Sequence, residues 1–236
     1  IIPTQPESWN KDPLKTDKDN FSFLVINNEI VSDLGQPSYL SEIKKQTQQQ
    51  IISQESDLIF VVGDTQEKRE ENSGKMFLQR LDPYIKAPIV SVLSHYNSQK
   101  HTNFGPRHQL FEVGENWFIT LDAGYHHNNP AQNIFLYDTL LQLEKHPEIK
   151  NVFIISDNPE WLDKHPDNFW FADDFPKHLE KYNQVNFQII FGTAQPEKRI
   201  NELRERLPNN VDLVAKDKQS IEDIEKNQTT SFLKIK

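Results

Sequence analysis

The chain has 236 residues, enough for one domain of two or three layers around a substantial core. Hydrophobic residues make up 36% and aromatics 11%, with Ile, Leu, Val and Phe gathered into short runs, so a globular chain is expected despite the polar average. A formal charge of -9 argues against a nucleic-acid backbone as partner, and the absence of Cys excludes disulfides, thiolate metal sites and cysteine catalysis. No apolar run is long enough to span a bilayer.

Residues 1–20 read as an N-terminal extension or linker, and 21–236 as a single domain. The stretch Thr4 to Asn20, rich in Pro, Lys, Asp and Asn, suits a tether left after removal of a leader or anchor, which would place the chain outside the cytoplasm; it suits the boundary of a fragment equally well.

Phe21 to Ile26 is the first predicted strand, with Asn27-Asn28-Glu29 as its polar end. Tyr39 to Ile52 follows as a helix, started by Pro37-Ser38 and apolar at 39, 40, 43, 51 and 52. Leu58 to Val62 is an unbroken apolar run, the pattern of a parallel strand covered on both faces. Gly63 lets the backbone turn, so Asp64 is delivered to the carboxyl edge of the sheet, where open α/β folds place ligands. A helix with Met76, Phe77, Leu78 and Leu81 on its apolar face leads to Pro88–Leu93, the third strand, which ends in Ser94-His95-Tyr96-Asn97. Three strands joined by two helices make a parallel βαβαβ unit.

After a polar loop closed by Gly105-Pro106, His108 to Val113 and Trp117 to Leu121 alternate around Gly114-Glu115-Asn116, a hairpin pattern. Ala131 to His146 is amphipathic and stopped by Pro147. Val152 to Ile155 is a buried strand ending in Ser156-Asp157. Residues 158–172 read as an aromatic-bearing loop, Phe175 to Tyr182 as a short helix, and Phe187 to Phe191 as a strand ending in Gly192-Thr193-Ala194-Gln195. A charged helix over Pro196–Leu207 and strands at Val211–Val214 and Phe232–Ile235 complete the chain, and no internal repeat is evident.

The strand-Gly-Asp-x-x-acid pattern over Asp57 to Glu67 resembles the second motif of the calcineurin-like metallophosphoesterases, and the order of the other elements over roughly 20–195 follows that family. The resemblance implies an α/β fold, a sandwich of two mixed sheets flanked by helices. It also implies a two-metal site, in which a pair of Mn, Fe or Zn ions about 3.5–4 Å apart clamps the attacking and leaving oxygens. Most of its ligand positions are substituted here. The family's Asp-x-His falls on Asn28 and Ile30, or in the neighbouring register on Asn27 and Glu29. Its Gly-Asn-His-acid falls on Ser94, His95, Tyr96 and Asn97, or with one deletion puts His95 on the His position. Asp157 stands where a ligand His is expected, and Thr193 and Gln195 where Gly-His-x-His would supply two more.

The candidate set of a degenerate site is therefore Asn28, Asp64, Glu67, His95, Asn97, Asp157, Thr193 and Gln195, with Asp64 and Asp157 as the metal-ligand candidates. Oxygen donors dominate it. A single Ca²⁺ or Mg²⁺ suits such donors better than a Mn, Fe or Zn pair, and an empty pocket is the plainer expectation. Asp64 and Glu67 also fit as acids capping the following helix, His95 as a hydrogen-bonded loop residue, and His126-His127 as solvated loop. Trp161, Phe169, Trp170 and Phe171 fit either a partner surface or packing under a long loop. Three functions compete: a non-catalytic binding or scaffold protein that takes a protein partner or a small ligand; an active hydrolase with a site rebuilt from His95, Asp64, Asp122 and the His126-His127 loop; and a structural component anchored through a preceding segment. The missing imidazoles put the first ahead.

Overall fold

The computed structural model of the protein describes residues 21–27, 56–63, 87–92, 108–122, 130–163, 169–192, 195–214 and 233–235. In chain order its elements are β1 (Phe23–Asn27), β2 (Leu58–Val62), β3 (Ile89–Val92), β4 (Gln109–Val113), β5 (Asn116–Thr120), α1 (Pro130–Gln142), β6 (Asn151–Ser156), α2 (Phe169–Glu180), β7 (Asn186–Phe191), α3 (Glu197–Arg204), β8 (Val211–Val214) and β9 (Leu233–Ile235). They fall into two compact units, one drawn from 1–106 and 219–236 and the other from 107–218.

The first unit carries a sheet of order β3-β2-β1-β9. Its first three strands are parallel, with Val25 opposite Phe60 and Phe60 opposite Val90, so the predicted βαβαβ strands are neighbours in one sheet. β9 closes the edge antiparallel to β1, which makes the sheet mixed. Every residue of β2 is buried, as its unbroken apolar run requires of a strand covered on both faces, and the Phe23 and Phe60 rings meet edge to face at 5.9 Å. Asp57 ties the two strand entries together: its Oδ2 accepts from the Ser22 backbone N–H at 2.8 Å and from the Ser22 hydroxyl at 3.1 Å, while its own N–H donates to the Ser22 carbonyl at 2.9 Å. The helices predicted over Tyr39–Ile52 and after Glu67 lie outside the described residues.

The second unit carries a sheet of order β4-β5-β6-β7-β8, antiparallel at the β4–β5 hairpin and parallel from there on. Gly114 takes the positive φ of 60° that the tight hairpin turn needs. Parallel strands that follow each other across a sheet by right-handed crossovers set their connecting helices on one face. Accordingly Leu136, Leu140, Phe175, Leu179, Ile200 and Leu203 of the three helices share one core with Trp117, Ile119, Val152, Ile154, Phe187 and Ile189 of the strands. The other face is also apolar and buried, with Phe118 stacked on Phe153 at 4.9 Å.

Two helices differ from expectation. α2 begins at Phe169, so its first turns come from the stretch predicted as loop, and Pro176 stands inside it. Proline is at home in a first turn; inside the helix it lacks the N–H that would bond to the carbonyl four residues back, and its ring crowds that carbonyl. α1 ends at Gln142 and tightens into a 3₁₀ turn over Leu143–Lys145. Its buried stripe runs through Gln132, Leu136, Thr139, Leu140 and Leu143, leaving Ile134 61% and Leu141 37% exposed although both fit the apolar period.

Candidate functional site

β5, β6 and β7 run parallel, so their carboxyl ends share one edge of the second sheet. The ladder continues past the strands, with the Leu121 N–H donating to the Ile155 carbonyl and the Gly192 N–H to the Ser156 carbonyl, both at 2.9 Å. Carried two steps beyond Thr120–Ile155 and one step beyond Ser156–Phe191, this register sets Asp122 level with Asp157 and Asp157 level with Gly192. Asp122 is 1% exposed and Asp157 9%. Two carboxylates at adjacent positions of a buried edge are the chemistry that draws in cations or hydrogen-bond donors, because a buried charge must be paired.

The turn after Asp157 is held by side chains. The Ser156 hydroxyl, fully buried, accepts from the Trp161 indole N–H at 3.0 Å and donates to the Asn158 carbonyl at 3.0 Å. Asn158 Oδ1 accepts from the Glu160 N–H at 2.9 Å and so shapes the 3₁₀ turn over Glu160–Leu162. Asp163 pairs with Arg199 of α3, and Arg206 donates to the Leu162 carbonyl at 3.0 Å. Trp161 packs edge to face on Phe175 at 5.4 Å and is 6% exposed, so of the two readings of the aromatic loop it takes the packing one. The backbone of Phe169, Trp170 and Phe171 opens α2.

In the first unit β1, β2 and β3 likewise end level with one another, Asn27 opposite Val62 and Val62 opposite Val92. Gly63 donates its N–H to the Val92 carbonyl at 3.0 Å and takes a φ of 113°, the turn expected of it. Asp64 follows it directly, and Asn28 follows β1. Asn28, Asp64, Glu67, His95, Asn97, Thr193 and the His126-His127 pair lie outside the described residues.

Of the predicted set, then, the structure describes Asp157, buried, and Gln195, half-buried, both just past the ends of neighbouring strands. Asp122, which sequence reasoning placed only in a rebuilt catalytic site, shares that edge. Ser156 was read only as part of the strand end and Asn158 was not singled out; the Ser-Asp-Asn-Pro run after an apolar strand was the available signal, since Ser and Asn side chains bond their own turns. Among the described residues no group of three or more His, Asp or Glu is placed to hold a metal ion. Among the described residues this edge offers carboxylate, hydroxyl and amide oxygens. No described helix is long and apolar enough to cross a membrane.

No family model matches the sequence, and no curated protein does. Among solved structures, the purple acid phosphatase PPD1 from yellow lupin (Lupinus luteus) seeds matches with a TM-score of 0.52 and 11% identity, over 74% of this chain. The likeness is one of fold. It agrees with the calcineurin-like metallophosphoesterase architecture that the sequence resembles, two mixed sheets with helices. This chain spans 38% of the lupin protein's length. Vps29 from Chaetomium thermophilum and a single mutant of Vps29 from Entamoeba histolytica match at TM-scores of 0.31 and 0.30, with 13% and 11% identity. Those matches cover 58% and 57% of this chain against 62% and 63% of theirs, and are too loose to carry an argument.

Proposed function

We propose that the protein is a non-catalytic member of the metallophosphoesterase-like fold, a binding or scaffold subunit that takes a protein partner or a small ligand. The observation behind this reading is the carboxyl edge of β6 and β7. There the family resembled carries imidazole ligands, and this chain carries Ser156-Asp157 and Gly192 to Gln195. Losing several first ligands removes far more than the 10–100-fold that one supporting contact is worth. Any ion drawn to the edge would be a single hard cation, Ca²⁺ or Mg²⁺, because the donors are oxygens.

A second reading, hydrolysis at a rebuilt metal site, has one observation in its favour, the buried Asp122 level with Asp157. Calorimetric titration of chelator-treated protein separates the two. The binding reading expects no Zn²⁺ or Mn²⁺ heat tighter than millimolar, with Ca²⁺ or Mg²⁺ heat, where seen, lost in Asp157→Asn. Tight Zn²⁺ or Mn²⁺ binding at two equivalents per chain would overturn it in favour of the rebuilt site.

A further inference from the structure

α2 carries two polar rings into the core beneath α1. His178, in the last turn of α2, is 8% exposed, and Tyr182, just past its end, 3%. The His178 ring lies 4.9 Å from that of Tyr137 on α1, inclined by 30°, and 5.6 Å from that of Tyr182, inclined by 73°. The His178 Nε2 and the Tyr182 hydroxyl are buried and hydrogen-bond to no group among the described residues. The turn beneath them is pinned from a distance: Asn210, just ahead of β8, donates its side-chain amide to the carbonyls of Leu179, Tyr182 and Val185 at 3.4, 3.1 and 3.2 Å. The imidazole thus lies between the half-exposed Tyr137 ring on α1 and the buried Tyr182 ring.

We propose that the stack of Tyr137, His178 and Tyr182 is an acid-sensitive clasp between α1 and α2, closed while His178 is neutral and opened when the imidazole takes up a proton. The groups facing His178 are Tyr137 from α1, Glu144 from the 3₁₀ turn after it, and Lys181 and Tyr182 from its own segment. Burial, and after it the Lys181 charge, hold the imidazole below its ordinary 6.5; Glu144 pulls the other way and is outweighed. The tyrosine faces attract a cation, an effect that is small beside desolvating an unpaired imidazolium. Burial and the neighbouring Glu144 and Tyr137 raise the Tyr182 phenol, so it stays neutral throughout. Since the closed form binds the proton more weakly than the open one, the closure is complete above pH 6.5 and is lost as the pH falls from there through the folded-state value.

The test uses the full chain. The His178 imidazole is titrated by NMR, and amide exchange is followed at pH 7.5 and 5 in wild type and in His178→Phe, which keeps a ring in the stack and removes the proton site. The clasp requires His178 to titrate below 6.5. Protection over 136–143 and 175–182 should fall about tenfold for each unit of that depression, with β6 and β7 holding theirs, and the variant should show no such fall. Titration at or above 6.5 would overturn the proposal, as would equal loss of protection in β6 or the same loss in His178→Phe. Should the variant not fold, the wild-type titration and exchange pattern decide it alone.

Discussion

Along its middle, the second sheet buries mainly apolar side chains on the helix side, where Trp117, Val152 and Phe187 sit level with one another and Ile119, Ile154 and Ile189 follow two residues on. At its carboxyl edge the same strands bury Asp122, Ser156 and Asp157. Burial stabilises the middle by removing apolar surface from water, roughly 25 cal/mol per Å². At the edge burial works against stability, and the structure answers with short bonds from side chains to the turn.

The comparison is sharpened first by emptying the middle. Ile154→Ala removes a fully buried side chain from β6 and should lower the unfolding free energy by about 2–5 kcal/mol in chemical denaturation. A loss below 1 kcal/mol would mean that the helix-side core is loosely packed. At the edge, Ser156→Ala strips the Trp161 indole N–H of its acceptor and should lower stability by about 1–3 kcal/mol, with a change in tryptophan fluorescence. In the first unit, Gly63→Val forces a β-branched residue to a φ of 113° and should also lower stability, by about 1–3 kcal/mol. An unchanged midpoint would show that the turn carrying Asp64 relaxes freely. The smallest effect belongs to Lys150→Ala, which breaks an exposed pair with Glu115 and should shift stability by less than about 1 kcal/mol, less still in high salt.

Most of the strand framework was legible in the sequence because apolar runs and alternation report burial directly: Leu58–Val62, the hairpin around Gly114 and the β6 and β7 runs all lie where the pattern puts them. The start of α2 was not legible, since Pro176 looks like a first-turn residue and the aromatics before it have no helical period of their own. The exposure of Ile134 was hidden for a different reason: apolar residues at 134, 135, 136, 140, 141 and 143 spread over more than one side of the helix, so the period alone does not single out the buried stripe. At the site, the strand ends were legible as places and Asp157 as a substitution. The level placement of Asp122 beside it depends on strand register, which the sequence of either strand does not contain.

The measurement closest to the central claim is hydrolysis of a generic aryl phosphate by the full chain with Mn²⁺, Fe²⁺ or Zn²⁺ added in turn. The account predicts turnover no faster than the metal alone, and no difference between wild type, Asp64→Ala and Asp157→Asn. Metal-dependent turnover that is abolished by Asp64→Ala or Asp157→Asn and retained in Lys150→Ala would contradict it.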